Sequence, residues 1–312
     1  MKFAPIGMST YTRLDHLKKT IASLQKNTIA QKSSLYVFSD APRPGDENKV
    51  EKVREYLRTV NGFRSVTIVE RKDNNRIKNN RGGIKQLLDD LGKIIFLEED
   101  IVTAPGFLQF MNDALDFYEN NDKVISICGY CPPIAIPDNY PHDTFILPRF
   151  SAWGFATWKN KFDPFRFSTV GFEEKKKDEK FVKKLSAGGE DIYKMVEDDC
   201  CGKINALDVR VMYHQAINNL YTVYPRQSLV QNIGLDGSGV HCGNSNKFHI
   251  NFLWSKEKDF TYQVDPKVNR KILIENKNFR GIRKKENSFI DNLYRIACYA
   301  GYEKFKKVFL KK

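Results

Sequence analysis

The first 128 residues predict an α/β fold, a mostly parallel sheet with helices on both faces. Three observations carry that reading. Short apolar runs alternate with amphipathic stretches of helical period from Phe3 to Cys128. The run Ile94-Ile95-Phe96-Leu97 is apolar at every position, as a strand buried on both faces is. Three carboxylates, Glu98, Glu99 and Asp100, follow it directly, where a strand of an open parallel sheet presents its carboxyl end to ligands. Three adjacent like charges are costly unless a cation or cationic substrate compensates them. A solvated acidic turn ahead of the helix begun by Pro105 is the plainer reading of the same run.

Taken in order, residues 3–8 form a short apolar strand that ends at Ser9-Thr10-Tyr11-Thr12. Leu14, Leu17, Ile21 and Leu24 share one helical face, with Thr12 as the expected N-cap. Leu35 to Ser39 is a second strand that ends at Asp40; Val50, Val53 and Leu57 mark a second helix. Val66 to Val69 is a third strand. A polar, basic loop from Arg71 to Arg81 then leads to a helix carrying Ile84, Leu87, Leu88 and Leu91. After the strand at 94–97 come a helix through Phe107, Met111, Leu115 and Tyr118 and a strand at 124–128.

Beyond Cys128 the alternation stops. Residues 129–150, rich in proline and aromatics, read as an ordered loop; 173–184 as one charged, solvated helix; and Asp191 to about Asp199 as a helix after Gly188-Gly189. Residues 207–224 fit either helix or strand, and Pro225 to Asn246 read as loop. The division expected is an α/β half over 1–128, a second half of the same domain over 129–250, and a basic extension over 251–312.

Composition is that of an ordinary globular chain: 312 residues, 41% hydrophobic and 29% charged. No apolar run reaches the ~18 residues of a membrane span, and the first residues lack the anatomy of a signal peptide, so the expectation is a cytoplasmic protein. Cys128 and Cys131 form one CxxC with no second to complete a zinc site, and read as buried thiols. From Lys267 to the end there are 14 Lys or Arg against 4 Asp or Glu, so most of the net charge of +13 sits in the tail. Within it, residues 289–312 interleave apolar positions with lysines. That pattern fits either an anionic membrane surface or an amphipathic helix docked on the domain.

Neither GxGxxG after the first strand nor GxxxxGK[ST] occurs, so dinucleotide and P-loop binding lack support. Carboxylates at strand ends stand there instead. A divalent metal held by one or two of them can clamp a diphosphate, and Asp40 can accept hydrogen bonds from a base or a ribose. That combination suits a nucleotide-sugar donor. A nucleotidyltransferase shares the sheet and the metal carboxylates, but Ile6-Gly7-Met8-Ser9-Thr10 is a poor match to its glycine-rich basic signature. A nucleic-acid-binding protein would spread its positive charge over the domain rather than concentrate it in the tail, so no nucleic acid partner is expected.

The chain resembles glycosyltransferases of the GT-A fold, nearest to bacterial family 2-type sugar transferases and more loosely to N-acetylglucosaminyltransferase I. The resemblance covers about residues 3–246. It is carried by Ala4-Pro5-Ile6 through His16, Phe38-Ser39-Asp40, Phe96-Leu97-Glu98-Glu99-Asp100, Ser151-Ala152-Trp153-Gly154-Phe155-Ala156-Thr157-Trp158, Gly188-Gly189-Glu190-Asp191 and the loop Gln231 to Cys242. Glu99 stands where the family more often has the central Asp of its DxD-type motif, and Asn79-Asn80-Arg81-Gly82-Gly83 is unusually basic and glycine-rich.

The resemblance implies a Rossmann-like GT-A domain and a metal-dependent, inverting transfer from a UDP-sugar to a glycan or lipid-linked acceptor, in bacterial lipopolysaccharide or capsule synthesis. Mn2+ or Mg2+ is the implied cofactor. Asp100 is the first candidate metal ligand, then Glu98, with His241 a third; Ser9, Tyr11, Arg13, Asp40, Arg76, Arg81 and Glu99 are donor-side candidates. Asp191, beside Glu190, is the expected general base, with Asp208 the competitor. Trp153, Trp158 and Asp236 are acceptor-side candidates, although buried aromatics serve cores as readily as sugar rings.

Overall fold

A computed structural model describes residues 3–238, 247–250 and 259–281. The expected alternation is present: β1 (Ile6–Thr10), α1 (Leu14–Gln25), β2 (Ser34–Ser39), α2 (Glu47–Thr59), β3 (Ser65–Glu70), α3 (Arg76–Leu91) and β4 (Lys93–Glu98). Then come β5 (Ile101–Thr103), α4 (Phe107–Phe117), β6 (Val124–Cys128), β7 (Thr144–Leu147) and β8 (Phe155–Trp158). The remaining elements are α5 (Phe172–Lys175), α6 (Glu179–Leu185), α7 (Asp191–Cys200), α8 (Leu207–Asn218), β9 (Tyr221–Pro225), β10 (Val230–Asn232) and α9 (Arg270–Arg280).

Eight strands form one sheet in the order β3-β2-β1-β4-β8-β6-β9-β7. All but β8 and β7 run parallel, which makes the protein an α/β fold with a mostly parallel sheet flanked by helices. Along β4, Ile95 and Leu97 join the core layer of α1 and α4, whereas Ile94 and Phe96 join the layer of α3, α7 and α8. Alternate side chains of one strand thus fill both faces, as the unbroken apolar run requires. Past the carboxyl end of β4, β5 pairs antiparallel with β10 and clamps the turn that carries Glu99 and Asp100.

Several local expectations change. Thr12 does not cap α1; Arg13 holds the N-cap position and no side chain caps there. The stretch from Arg76 to Arg81 is helix, because the Asn75 side chain accepts from Lys78 N and starts α3 early. Glycines 82 and 83 are therefore helical, and Gly83 lies so close to Phe38 that a Cβ would strike its ring. The charged stretch 173–184 breaks into two helices, with Asp178 capping the second. β7 and β8 fall in segments read as loop and aromatic segment. Both are four-residue strands buried throughout, too short to show a period.

Residues 207–224 resolve into α8 and β9. Val209, Val211, Met212, Tyr213, Gln215 and Ala216 are all buried, which erases the polar face that marks a helix. Cys128 and Cys131 are buried free thiols, and burial pushes the Cys128 thiol up to about 12. The compact unit runs from Met1 to Arg280, past the boundary at 251, because α9 docks through Ile272 and Asn276. No helix among the described residues is long and apolar enough to cross a membrane.

Candidate functional site

Strand register builds the site. Ser9 of β1 lies beside Glu98 of β4, and Asp40 follows the end of β2, so all three gather at the carboxyl edge of the sheet. Asn80 of α3 ties two of them together, donating to Ser9 Oγ and Glu98 Oε1 at 3.2 Å each.

Arg13, at the start of α1, is the principal counter-charge. Its Nε donates to Glu99 Oε1 at 2.8 Å and its Nη2 to Asp100 Oδ2 at 2.7 Å. Burial opposes its charge, but the two carboxylates outweigh burial and hold the guanidinium above its ordinary value. Its Nη1 and Asp100 Oδ1 are both buried without a hydrogen-bond partner. Gly234 passes directly over this pair; a Cβ there would run into Asp100 Oδ2 and Arg13. Glu98 is pushed up to about 8, first by burial and then by Asp100 and Glu99. Glu99 is also raised, chiefly by burial.

These residues suit a divalent cation in a limited way. Among the described residues no three His, Cys, Asp or Glu side chains are arranged to hold an ion. Asp100 Oδ1 is nevertheless a buried acceptor lacking a donor, and its carboxylate acts electrostatically on Glu98. The donor set therefore fits a cation that takes one or two protein oxygens and completes its shell with phosphate and water. His241 lies outside the described residues.

The remaining donor-side candidates have defined partners. Asp40 is buried; its Oδ1 accepts from Ala41 N and Asn75 N at 3.0 Å each, and among the described residues its Oδ2 accepts only a long bond of 3.4 Å from Asn74. Tyr11 donates to Asp46 Oδ2 at 2.9 Å and accepts from Arg43 N, so it fixes the loop after β2. Arg76 lies in the first turn of α3 and acts electrostatically on Glu98. Arg81 is buried and donates to Asn205 Oδ1 at 2.7 Å; burial, then Arg210, pulls its pKa down.

The two base candidates differ sharply. Asp191 is gripped by Arg149, whose Nη1 and Nη2 each donate to one carboxylate oxygen at 2.8 Å. Neighbouring Glu190 is exposed and faces Lys277 at 3.6 Å. Asp208, in the first turn of α8, makes no ion pair among the described residues, and burial raises it above the usual carboxylate range despite the opposing pull of nearby Arg149. Asp199, deeper still, is taken by Arg210 at 2.9 Å and by Thr169.

Of the acceptor-side candidates, Trp153 precedes β8 and packs edge-on to Tyr130 (4.7 Å) and Phe248 (5.6 Å). Trp158 is not an acceptor residue. It pairs with Lys93 at the amino end of β4, is 3% exposed, and donates Nε1–H to Leu115 O, so it is a core side chain at the wrong end of the sheet. Asp236 is exposed; Ser238 and then His16, at 3.1 Å, draw its carboxyl down to about 2 and tie its loop to α1.

Asn80, Arg149 and Asn205 had no role in the sequence reading. A helix begun at Asn75 would have placed Arg76 and Asn80 one turn apart on one face. Arg149 and Asn205 carry no such signal, since their partners are distant in sequence.

No protein-family model and no curated protein matches the chain. Solved structures similar to it include TarS of S. aureus, residues 1–349, at 10% identity and TM-score 0.41, covering 74% of this chain and 60% of that one. The same protein in complex with UDP is 14% identical, with TM-score 0.38 and the same coverage. The mannosyltransferase PcManGT of Pyrobaculum calidifontis, in complex with GDP-Man and Mn2+, is 15% identical with TM-score 0.34, covering 50% of this chain and 44% of that one. These neighbours are glycosyltransferases, and this chain spans less than two thirds of the length of each.

Proposed function

We propose that the protein is a glycosyltransferase that moves a sugar, with inversion, from a UDP-sugar to a hydroxyl of a glycan or lipid-linked acceptor. The observation that carries this reading is Asp100, a buried carboxylate with one unpartnered oxygen between Arg13 and the raised Glu98. It stands at the carboxyl end of the central parallel strand, where open α/β sheets take ligands.

Asp100 and Glu98 would hold Mn2+ or Mg2+, which when bound supplies positive charge against the departing diphosphate. Arg13, whose Nη1 is free of partners, orients a diphosphate oxygen. Asp40 Oδ2 accepts from the base or ribose, since Oδ1 already serves the loop before α3. Asp208 takes the proton as the acceptor oxygen bonds to the anomeric carbon and the bond to the diphosphate breaks. Asp191 is the poorer base because Arg149 occupies both of its oxygens; it positions Arg149 instead.

The test is UDP-sugar turnover with Mn2+. Asp100→Ala is expected to lower it by about 10²- to 10³-fold, the usual cost of removing an electrostatic stabiliser. Full activity in that variant, or in chelator, overturns the metal assignment. A role in bacterial surface polysaccharide synthesis places the enzyme at the inner face of the plasma membrane, and the basic residues 289–312 support that placement. Their deletion is expected to abolish binding to anionic liposomes; unchanged binding removes the membrane from the proposal.

A further inference from the structure

One cation on the acceptor side has no part in the chemistry above. Arg280 ends α9, and its guanidinium lies over the rings of Phe248 (5.1 Å) and Phe279 (5.3 Å). Its Nε is buried without a hydrogen-bond partner, and among the described residues no carboxylate pairs with it. Burial, and next the adjacent Arg149, pull it down to about 10. Asp191 is the carboxylate that faces both guanidiniums, but Arg149 takes its two oxygens at 2.8 Å each.

Gly189 makes this convergence possible. At φ +147° a Cβ would meet Asp191 Oδ1, Arg149 Nη1 and Arg280 Cβ together, so only glycine lets the three approach. Tyr130 and Trp153 close the surroundings, Tyr130 against Trp153 and Trp153 against Phe248. An unpaired buried guanidinium is costly to keep. A flat cation with an unmade N–H is what an oxyanion satisfies, through short charge-assisted bonds.

We propose that Arg280, backed by Arg149 and Phe248, forms a phosphate subsite beside Trp153, and that the acceptor of the transfer carries a phosphate group there. This rests on the glycosyltransferase reading, and its test separates the two. Inorganic phosphate is titrated calorimetrically into the full chain saturated with UDP and Mn2+, with acetate as the carboxylate arm, and UDP-sugar hydrolysis is followed separately on the same protein with Mn2+ and no added UDP.

Phosphate is expected to bind at one site in the presence of UDP, more tightly than acetate. Arg280→Gln is expected to weaken it by about tenfold or more, the worth of a charge-assisted hydrogen bond, while UDP-sugar hydrolysis stays at the wild-type rate. Phosphate binding that UDP abolishes, that Arg280→Gln leaves unchanged, or that acetate matches overturns the subsite. Should Arg280→Gln fail to fold, Arg280→Lys keeps the charge and loses the fork; an affinity unchanged in it is equally fatal. A wild-type protein that neither binds nor hydrolyses UDP-sugars defeats the enzyme reading instead, whatever its affinity for phosphate.

Discussion

The choice between Asp191 and Asp208 shows how much a partner decides about a carboxylate. In sequence the two are alike, each in the first turn of a helix. Asp191 is locked in a two-point ion pair with a 7%-exposed Arg149, whereas Asp208 is raised by burial and has no ion pair among the described residues. Asp208→Asn is therefore expected to abolish transfer while UDP-sugar binding, read by calorimetry, is retained. In the wild type, transfer should rise with pH to a plateau set above the ordinary carboxylate range, because the base acts only when ionised. Asp191→Asn should instead strand a buried guanidinium and lower stability by about 2 kcal/mol, seen in urea unfolding. If Asp191→Asn folds normally and alone loses transfer, the roles are reversed. The acidic run and Asp40 were legible in sequence because composition at a strand end is local. Arg149 was not, because its meaning comes from a partner 42 positions away.

At the level of elements, long periodic segments were readable and short buried ones were not. The alternation from β1 to β6 follows from apolar periodicity. β8 escapes it: its four buried residues run antiparallel between β4 and β6, so Trp158 becomes a core side chain rather than a sugar platform. α3 teaches the complementary lesson. Two glycines within it look like loop, yet Gly83 is required because Phe38 lies where its Cβ would be. Ala is the better helix former by about 1 kcal/mol, but the contact at 2.6 Å is with a buried ring that has little room to move. Gly83→Ala is expected to destabilise by about 1–2 kcal/mol, the cost of overpacking. It should also weaken UDP binding, because Asp40 follows Phe38 within two residues. A variant more stable than wild type in urea unfolding would show that α3 can shift freely.

For the molecule as a whole, the acidic strand end that organises the sheet edge also works against the stability of the metal-free fold. Glu98 ionises at about 8 in the folded protein against an ordinary value of 4.5. Below 4.5 it is protonated in both states and costs nothing. Between 4.5 and 8 the unfolded chain releases the proton while the folded protein keeps it, so folding stability falls as pH rises, by up to about 1.4 kcal/mol per pH unit. Above 8 this contribution is flat. Glu98→Gln removes the slope, so it should equal wild type near pH 4 and exceed it at pH 8. A bound divalent cation favours the ionised carboxylate, so binding should release a proton below pH 8 and tighten as pH rises. Melts at pH 4, 6 and 8, with and without Mn2+, read both effects: the cation should raise Tm most at pH 8 in wild type and much less in Glu98→Gln. Parallel pH curves for the two proteins would mean that Glu98 lies in a wetter site than its neighbours imply, and the cation would then have to depend on Asp100 alone.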